Sequence, residues 1–302
     1  MLAIALALGA SVCWGSGDFL GGLTTRRASL WAVIVGSQAV GLAGAAAVTL
    51  LSGHTWPGLG VVWPVLLGGV ASVVAISSFY KALAIGSMSI VAPITAMSAL
   101  VPFFYGLATG ERPAAAQLAG VVLAGVGVVL VAMEAERPGQ TIGVGALPNE
   151  PAVVPAVKTV RPSRRDQRLA IALALLAAVC IGLVLLSYDA TAKHDPLWAM
   201  LGCRLSSAAL FAVLFLALRP RLELKRSALP FLVAVGLLDT GANGLFALAT
   251  TQGYLSIVAV IGSVYPVITV VLAYGVLGER LARHQVVGAA ATLVGIAFIT
   301  AG

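Results

Sequence analysis

The sequence predicts an all-α integral membrane protein of ten transmembrane helices, built as two five-helix inverted-topology repeats. Three observations predict it. The first is composition. Of 302 residues, 60% are hydrophobic and only 10% charged, with a mean hydropathy of +1.04, whereas a globular chain is about a quarter charged. The second is an internal echo. GERPAAAQLAGVVLAGVG at 110–127 returns as GERLARHQVVGAAATLVG at 278–295. Glu111, Arg112, Gln117, Gly120 and Gly127 thus recur as Glu279, Arg280, Gln285, Gly288 and Gly295, each 168 residues on. LAIALALGASVCWG at 2–15 likewise returns as LAIALALLAAVCIG at 169–182, with eleven of fourteen positions identical. A period this long marks a duplicated half-protein, not a solenoid. The third is parity: each half holds five apolar runs, and an odd number sends the second half into the membrane from the opposite side, the inverted arrangement of many secondary transporters.

A hydrocarbon core of about 30 Å needs roughly 20 apolar residues per helix. Ten such runs are present, at about 1–21, 30–51, 61–84, 88–108, 115–133, 168–187, 196–217, 228–252, 254–276 and 284–301. The first lacks the basic n-region of a signal peptide and reads as a span. Only Gly86-Ser87 separates the third run from the fourth, and only Gly253-Tyr254 the eighth from the ninth. These glycines are repeat mates, which points to a turn in both places. Residues 134–167, with Pro138, Pro148, Pro151, Pro155 and Pro162, read as a flexible linker. The domains are therefore a first repeat at 1–133, the linker, and a second repeat at 168–302.

The net charge of +7 does not imply nucleic acid, because the basic residues sit in loops. Fifteen of the eighteen Lys and Arg residues fall in odd-numbered loops, against Arg112 and Lys193 in even-numbered ones. The positive-inside bias then puts the odd loops in the cytoplasm and both termini outside. Cys13, Cys180 and Cys203 lie in apolar runs with no spacing for a disulfide or a metal. No cofactor and no metal are expected.

Ionisable residues inside a membrane are costly and point to function. Asp239 stands eleven residues into the eighth span, with Asn243 and Thr250 on its helical face. Arg204 is the partner it calls for. Counted back from the loop that the seventh and eighth spans share, the two lie about 13 and 11 residues deep, a difference of about 3 Å at 1.5 Å per residue. The pair is either part of a substrate site that breaks or protonates during the cycle, or a permanent lock between two helices. Asp18 follows Ser11 and Trp14 on one face of the first span; Trp14 suits stacking on a flat or cationic ligand. Lys81 lies toward the same membrane face and is a candidate partner for Asp18. Gln38, Tyr80 and Tyr265 are further lining groups. Asp239 and Asp18 are the candidates for coupling to a proton. Glu111 and Glu279 stand in turns just before a helix, where a carboxylate caps free N–H groups and complements the helix dipole. Gly120, Gly127, Gly288 and Gly295 mark close helix packing, and Pro93 and Pro266 a break or kink in the fourth and ninth spans.

Two five-span halves, each with a G-E-R turn before its last span, resemble the EamA-type permeases of the drug/metabolite transporter superfamily. Pro266, thirteen residues before Glu279, resembles the family's fourth-span proline, a place that Ser98 takes in the first half. Arg204 resembles an arginine common in the family's second span. The resemblance implies a ten-helix permease, often an exporter of small organic metabolites or drugs, with cytoplasmic termini, against the loop charges. It also implies packing of the fifth helix of each half, at a homodimer contact in one reading. The expected function is a secondary transporter in the plasma membrane that moves a small-molecule substrate by alternating access, with proton coupling, exchange and facilitation all open. An intramembrane enzyme would need a nucleophile elbow or an H-E-x-x-H motif, and neither occurs. A scaffold or sensor would bring a soluble output domain, and only the linker is soluble.

Overall fold

A computed structural model describes residues 1–25, 28–85, 88–133, 164–278 and 281–301. Residues 134–163 of the expected linker, the Gly86-Ser87 turn, Arg26, Arg27, Glu279 and Arg280 lie outside the described residues. The helices are α1 Leu2–Thr25, α2 Leu30–Leu51, α3 Leu59–Ile85, α4 Met88–Ala96, α5 Leu100–Ala108, α6 Ala115–Ala132, α7 Arg164–Ala192, α8 Pro196–Leu218, α9 Leu229–Thr250, α10 Leu255–Gly262, α11 Tyr265–Leu277 and α12 Arg283–Ala301. Among the described residues, ten helical segments are long and apolar enough to cross a membrane, with α4 and α5 sharing the fourth and α10 and α11 the ninth. The largest boundary difference is at α7. It starts at Arg164 and runs to Ala192, so it takes in four expected linker residues and extends past Ser187 through Tyr188 and Asp189.

The halves interlock instead of lying side by side. α1 packs on α9, and its mate α7 packs on α3, the mate of α9. The last helices of the halves, α6 and α12, pack on each other. There the four repeat glycines meet in antiparallel pairs. A Cβ on Gly120 would stand 2.5 Å from the Gly295 carbonyl, and one on Gly127 2.5 Å from the Gly288 carbonyl. Both approaches are too close for any side chain, so backbone packs directly on backbone. The glycine faces are therefore filled within one chain.

The G-E-R turns carry two kinds of cap. Gln117 accepts from the Ala114 N–H at 2.9 Å, and its mate Gln285 accepts from Ala282 at 3.0 Å. Each closes the start of its own helix. Glu111 does something else. Its carboxylate accepts from the N–H groups of Leu255 and Ser256 at 2.8 and 3.0 Å. It caps α10, in the other half, and not the helix that follows it. Free N–H groups and the positive helix end both favour a carboxylate there, and the contact reaches from one repeat to the other.

The broken spans also depart from expectation. Pro93 sits inside α4 without ending it, and the fourth span breaks at a 3₁₀ turn over Met97–Ala99. Ser98, at the centre of that turn, is the repeat mate of Pro266. In the ninth span the break falls at Ser263 and Val264, and Pro266 lies in the first turn of α11. Pro266 has no N–H for the Gly262 carbonyl. Ser11 supplies the donor: its hydroxyl reaches the carbonyls of Ile261 and Gly262 at 2.5 and 2.9 Å.

The face that carries the even-numbered loops is tied together by polar contacts. Asp195 caps α8 through Leu197 and Trp198 at 2.9 and 3.0 Å, and meets His54 Nδ1 of the first half at 2.7 Å. Trp56 packs edge-on to Trp198 at 4.9 Å. Lys193 donates to Asp189 at 2.7 Å, and that hydrogen bond raises the Lys193 ammonium above its ordinary pKa.

Two outcomes follow from the α6–α12 seam and the Glu111 cap. Gly127→Val should lower stability by about 1–3 kcal/mol through overpacking, read as a fall in the thermal unfolding midpoint in detergent. Gly125→Val, two residues away on the opposite face of α6 and in open space, should leave the midpoint nearly unchanged. Glu111→Ala should cost about 1–2 kcal/mol, as the loss of a helix cap does, while Glu111→Gln keeps an acceptor and should cost less.

Candidate functional site

The site starts from one buried cation. α8 carries seven consecutive buried residues from Trp198 to Arg204, which puts the Arg204 guanidinium among helices and away from lipid. Gly41 on α2 makes room for it: a Cβ there would meet the Thr240 hydroxyl and stand 3.2 Å from Arg204 Nε. Arg204 Nη1 donates to Gln38 Oε1 at 2.9 Å, and Nη2 donates to Asp239 Oδ2. The Ser207 hydroxyl also reaches Gln38 Oε1, at 3.4 Å. The depth match between Arg204 and Asp239 thus corresponds to a direct ion pair.

The pair is lopsided. The Arg204 side chain is 7% exposed and that of Asp239 42%. The carboxylate opens onto a cavity of about 110 Å³. Both halves line it: Gln38, Ser72 and Ile76 from the first, Arg204, Asp239 and Asn243 among those from the second. One wall continues into an aromatic cluster. Trp14 Nε1 donates to Asn243 Oδ1 at 3.2 Å. The Trp14 ring lies 6.4 Å from Tyr265 and 5.7 Å from Phe246, which in turn is 6.3 Å from Tyr188.

Asp18 sits one turn beyond Trp14 on α1. Its residue is exposed, yet it lies within electrostatic reach of Asp239, Tyr80 and Tyr265. It is not among the residues that line the cavity. The expected partnership with Lys81 is not made: among the described residues, no ion pair within 4.0 Å involves either group. Thr250 also leaves the stripe it shares with Asp239 and Asn243 in the sequence. It is buried, and its hydroxyl turns back to the Ala247 carbonyl at 2.9 Å. Tyr80 is 42% exposed and stands at the rim.

Sequence reasoning missed Tyr188, Cys203 and Ser207 as lining groups. Ser207 was findable, three residues from Arg204 on the same helical face. Cys203 reads as a packing residue, but it lines the cavity together with Tyr188. Tyr188 lies one residue past the expected end of its span. Among the described residues, no group of three or more His, Cys, Asp or Glu side chains is placed to hold a metal.

The same architecture occurs elsewhere. A solved structure described only as "Crystal structure of protein" is similar to this chain with a TM-score of 0.76 at 18% identity, over 99% of this chain and 96% of that one. At that identity it shows a shared fold. No curated protein matches the chain. The model of the EamA-like transporter family matches residues 1–133 and 168–301, the two stretches that hold the echoing halves. With ten apolar helices and a match across both halves, the chain belongs to the EamA-like transporter family, membrane transporters of the drug/metabolite superfamily.

Proposed function

We propose that the protein is a secondary transporter of the plasma membrane, moving a small organic solute through a central site by alternating access of two inverted halves. One observation carries the reading: a polar cavity, lined from both halves, that contains an ion pair whose carboxylate is open and whose guanidinium is not. A pure structural lock has no need of an exposed carboxylate in a cavity, because exposure weakens the pair.

Two further features support it. Mate-for-mate packing of α1 on α9 and α7 on α3, with reciprocal glycine contacts between α6 and α12, favours the inverted arrangement. Burial is also uneven along the ninth span. Every residue of α10 is buried, whereas in α11 only Val267 is. α10 lies toward the even-loop face and α11 toward the odd-loop face. With Asp18 exposed toward the odd side, this favours a state sealed on the even face and open on the odd one. By loop charge the open side is cytoplasmic.

Flux in proteoliposomes against a panel of metabolites and drugs, with and without a pH gradient, tests the reading. Saturable flux is the expected result. Asp239→Asn should reduce it at least about tenfold, since an intramembrane carboxylate serves the substrate or coupling path. It should also lower stability by about 1–3 kcal/mol, below the figure for a fully buried pair because the carboxylate opens to the cavity. Asp239→Asn with Arg204→Gln should recover the stability and leave flux low. Full flux in Asp239→Asn would reduce the pair to a helix lock.

A further inference from the structure

The loop that joins α1 to α2 and the loop that joins α8 to α9 meet on the odd-loop side. Ala28 and Leu224 form an antiparallel bridge. The Ser29 N–H donates to the Glu223 carbonyl at 2.8 Å. The Ser29 hydroxyl donates to the Arg221 carbonyl and accepts from the Glu223 N–H, both at 3.2 Å. The same hydroxyl caps α2 through the Ala32 N–H. Ala28, Ala32, Val33 and Ala228 form a buried apolar cluster beside the bridge. The α8–α9 loop is therefore a held surface and not a loose connection.

That surface is two-sided. Arg221, Glu223 and Lys225 alternate with Leu222 and Leu224, and successive side chains of a bridged segment point to opposite faces. All five are exposed. So are Leu218 and Leu229, the last residue of α8 and the first of α9, so the leucines of the loop continue an apolar helix-end surface. With Arg219 and Arg226 the loop holds four cations and one anion over residues 219–226. Among the described residues, no ion pair within 4.0 Å engages any of them. A water-soluble anion would meet the cations and leave the leucines against water. A neutral lipid would cover the leucines and leave the cations unmatched. An anionic headgroup on an acyl chain answers both.

The bridged loops also begin a tight seam. A Cβ on Gly36 of α2 would stand 2.5 Å from Leu232 Cδ1 of α9, and one on Gly236 2.7 Å from the Ser37 carbonyl. One on Gly41 would meet the Thr240 hydroxyl, beside Arg204. Whatever holds the loop pair thus holds the odd ends of the two helices that supply Gln38 and Asp239.

We propose that the bridged loops, residues 28–29 with 219–226, are a docking surface for an anionic phospholipid. Arg221, Lys225 and Arg226 take its phosphate headgroup, and Leu222 and Leu224 meet the start of its acyl chains. Lipid held there braces α2 against α9.

Three probes test this on the full chain in detergent: dilauroylphosphatidylglycerol, dilauroylphosphatidylcholine and inorganic phosphate. Native mass spectrometry gives lipid binding, and the thermal unfolding midpoint gives bracing. The anionic lipid should bind about tenfold or more tightly than the zwitterionic one and raise the midpoint, while phosphate should leave the midpoint unchanged. Arg221→Gln with Lys225→Gln should lose about tenfold or more in anionic-lipid affinity, and with it the rise in midpoint, leaving the zwitterionic lipid unaffected. Arg168→Gln with Arg283→Gln removes the same charge from the same membrane face, outside these loops, and should cost far less, because the attraction is local. Leu222→Asn should weaken both lipids. Size-exclusion profiles check folding, and Arg221→Lys with Lys225→Arg, which keeps the charge, should retain binding and keeps the test informative if the Gln pair does not fold. Equal affinity for the two lipids, equal losses in the two Gln pairs, or a midpoint raised as much by phosphate as by the anionic lipid would each overturn the proposal.

Discussion

An arginine in the middle of a membrane span must find its partners inside the protein, because lipid offers none and the cost of an unpaired charge there is several kcal/mol or more. Much of the central architecture answers that one constraint. α8 presents Arg204 from a stretch of buried residues. α2 gives up a side chain at Gly41 and supplies Gln38, and α9 supplies Asp239. Three helices are thereby set in register around one guanidinium. α2 comes from the first half, α8 and α9 from the second, so the same contacts tie the halves together at the level of the cavity. Because Asp239 is only partly covered, the constraint is met with a carboxylate face left over.

Away from the cavity, the halves hold each other through groups that cannot be satisfied locally. Glu111 closes the start of α10 across the repeat boundary. Ser11 supplies the donor that Pro266 withholds from Gly262. Gln285 turns its amide toward the Met133 carbonyl at the end of α6, at 3.4 Å. In each case a backbone group left open by a helix end or a proline is met from the opposite half, as the absence of water in the bilayer core demands. The breaks in the fourth and ninth spans come within a few residues of equivalent places, although Ser98 stands where the second half has Pro266. The proline is thus one way to stabilise a break that the repeat architecture already contains.

The layout was legible in the sequence because its signals are one-dimensional. Apolar length marks spans, and an offset of 168 residues marks the duplication. The Arg204–Asp239 contact was legible for a related reason. Depth along antiparallel helices is countable, and a lone cation and a lone anion at equal depth have few other partners. What escaped depends on lateral neighbours. Nothing in GERPAAAQ says that its Glu will cap a helix over 140 residues away while its Gln caps its own. Lys81 and Asp18 share a membrane face, but depth does not decide which way each points around its helix. Thr250 obeys the helical period of Asp239 and Asn243, yet it is buried and bonds its own backbone. Eleven residues return to within about 20° of the same face, so what separates Thr250 from Asp239 is depth, about 16 Å along the helix axis.

The contacts between the halves differ in kind around the ninth span and along the α6–α12 seam. Toward the even-loop face the halves meet through discrete polar links, the Glu111 cap and the His54–Asp195 contact, with the Ser11 bridge deeper, at the break of the ninth span. Hydrogen bonds of this kind contribute on the order of 1 kcal/mol each, so a handful balances a closed state against an open one without locking it. The α6–α12 seam is different. Its glycines let backbone meet backbone, with no room for even a Cβ at Gly120, Gly127, Gly288 or Gly295. Any side chain there would push the two helices apart, so the seam depends on all four glycines at once.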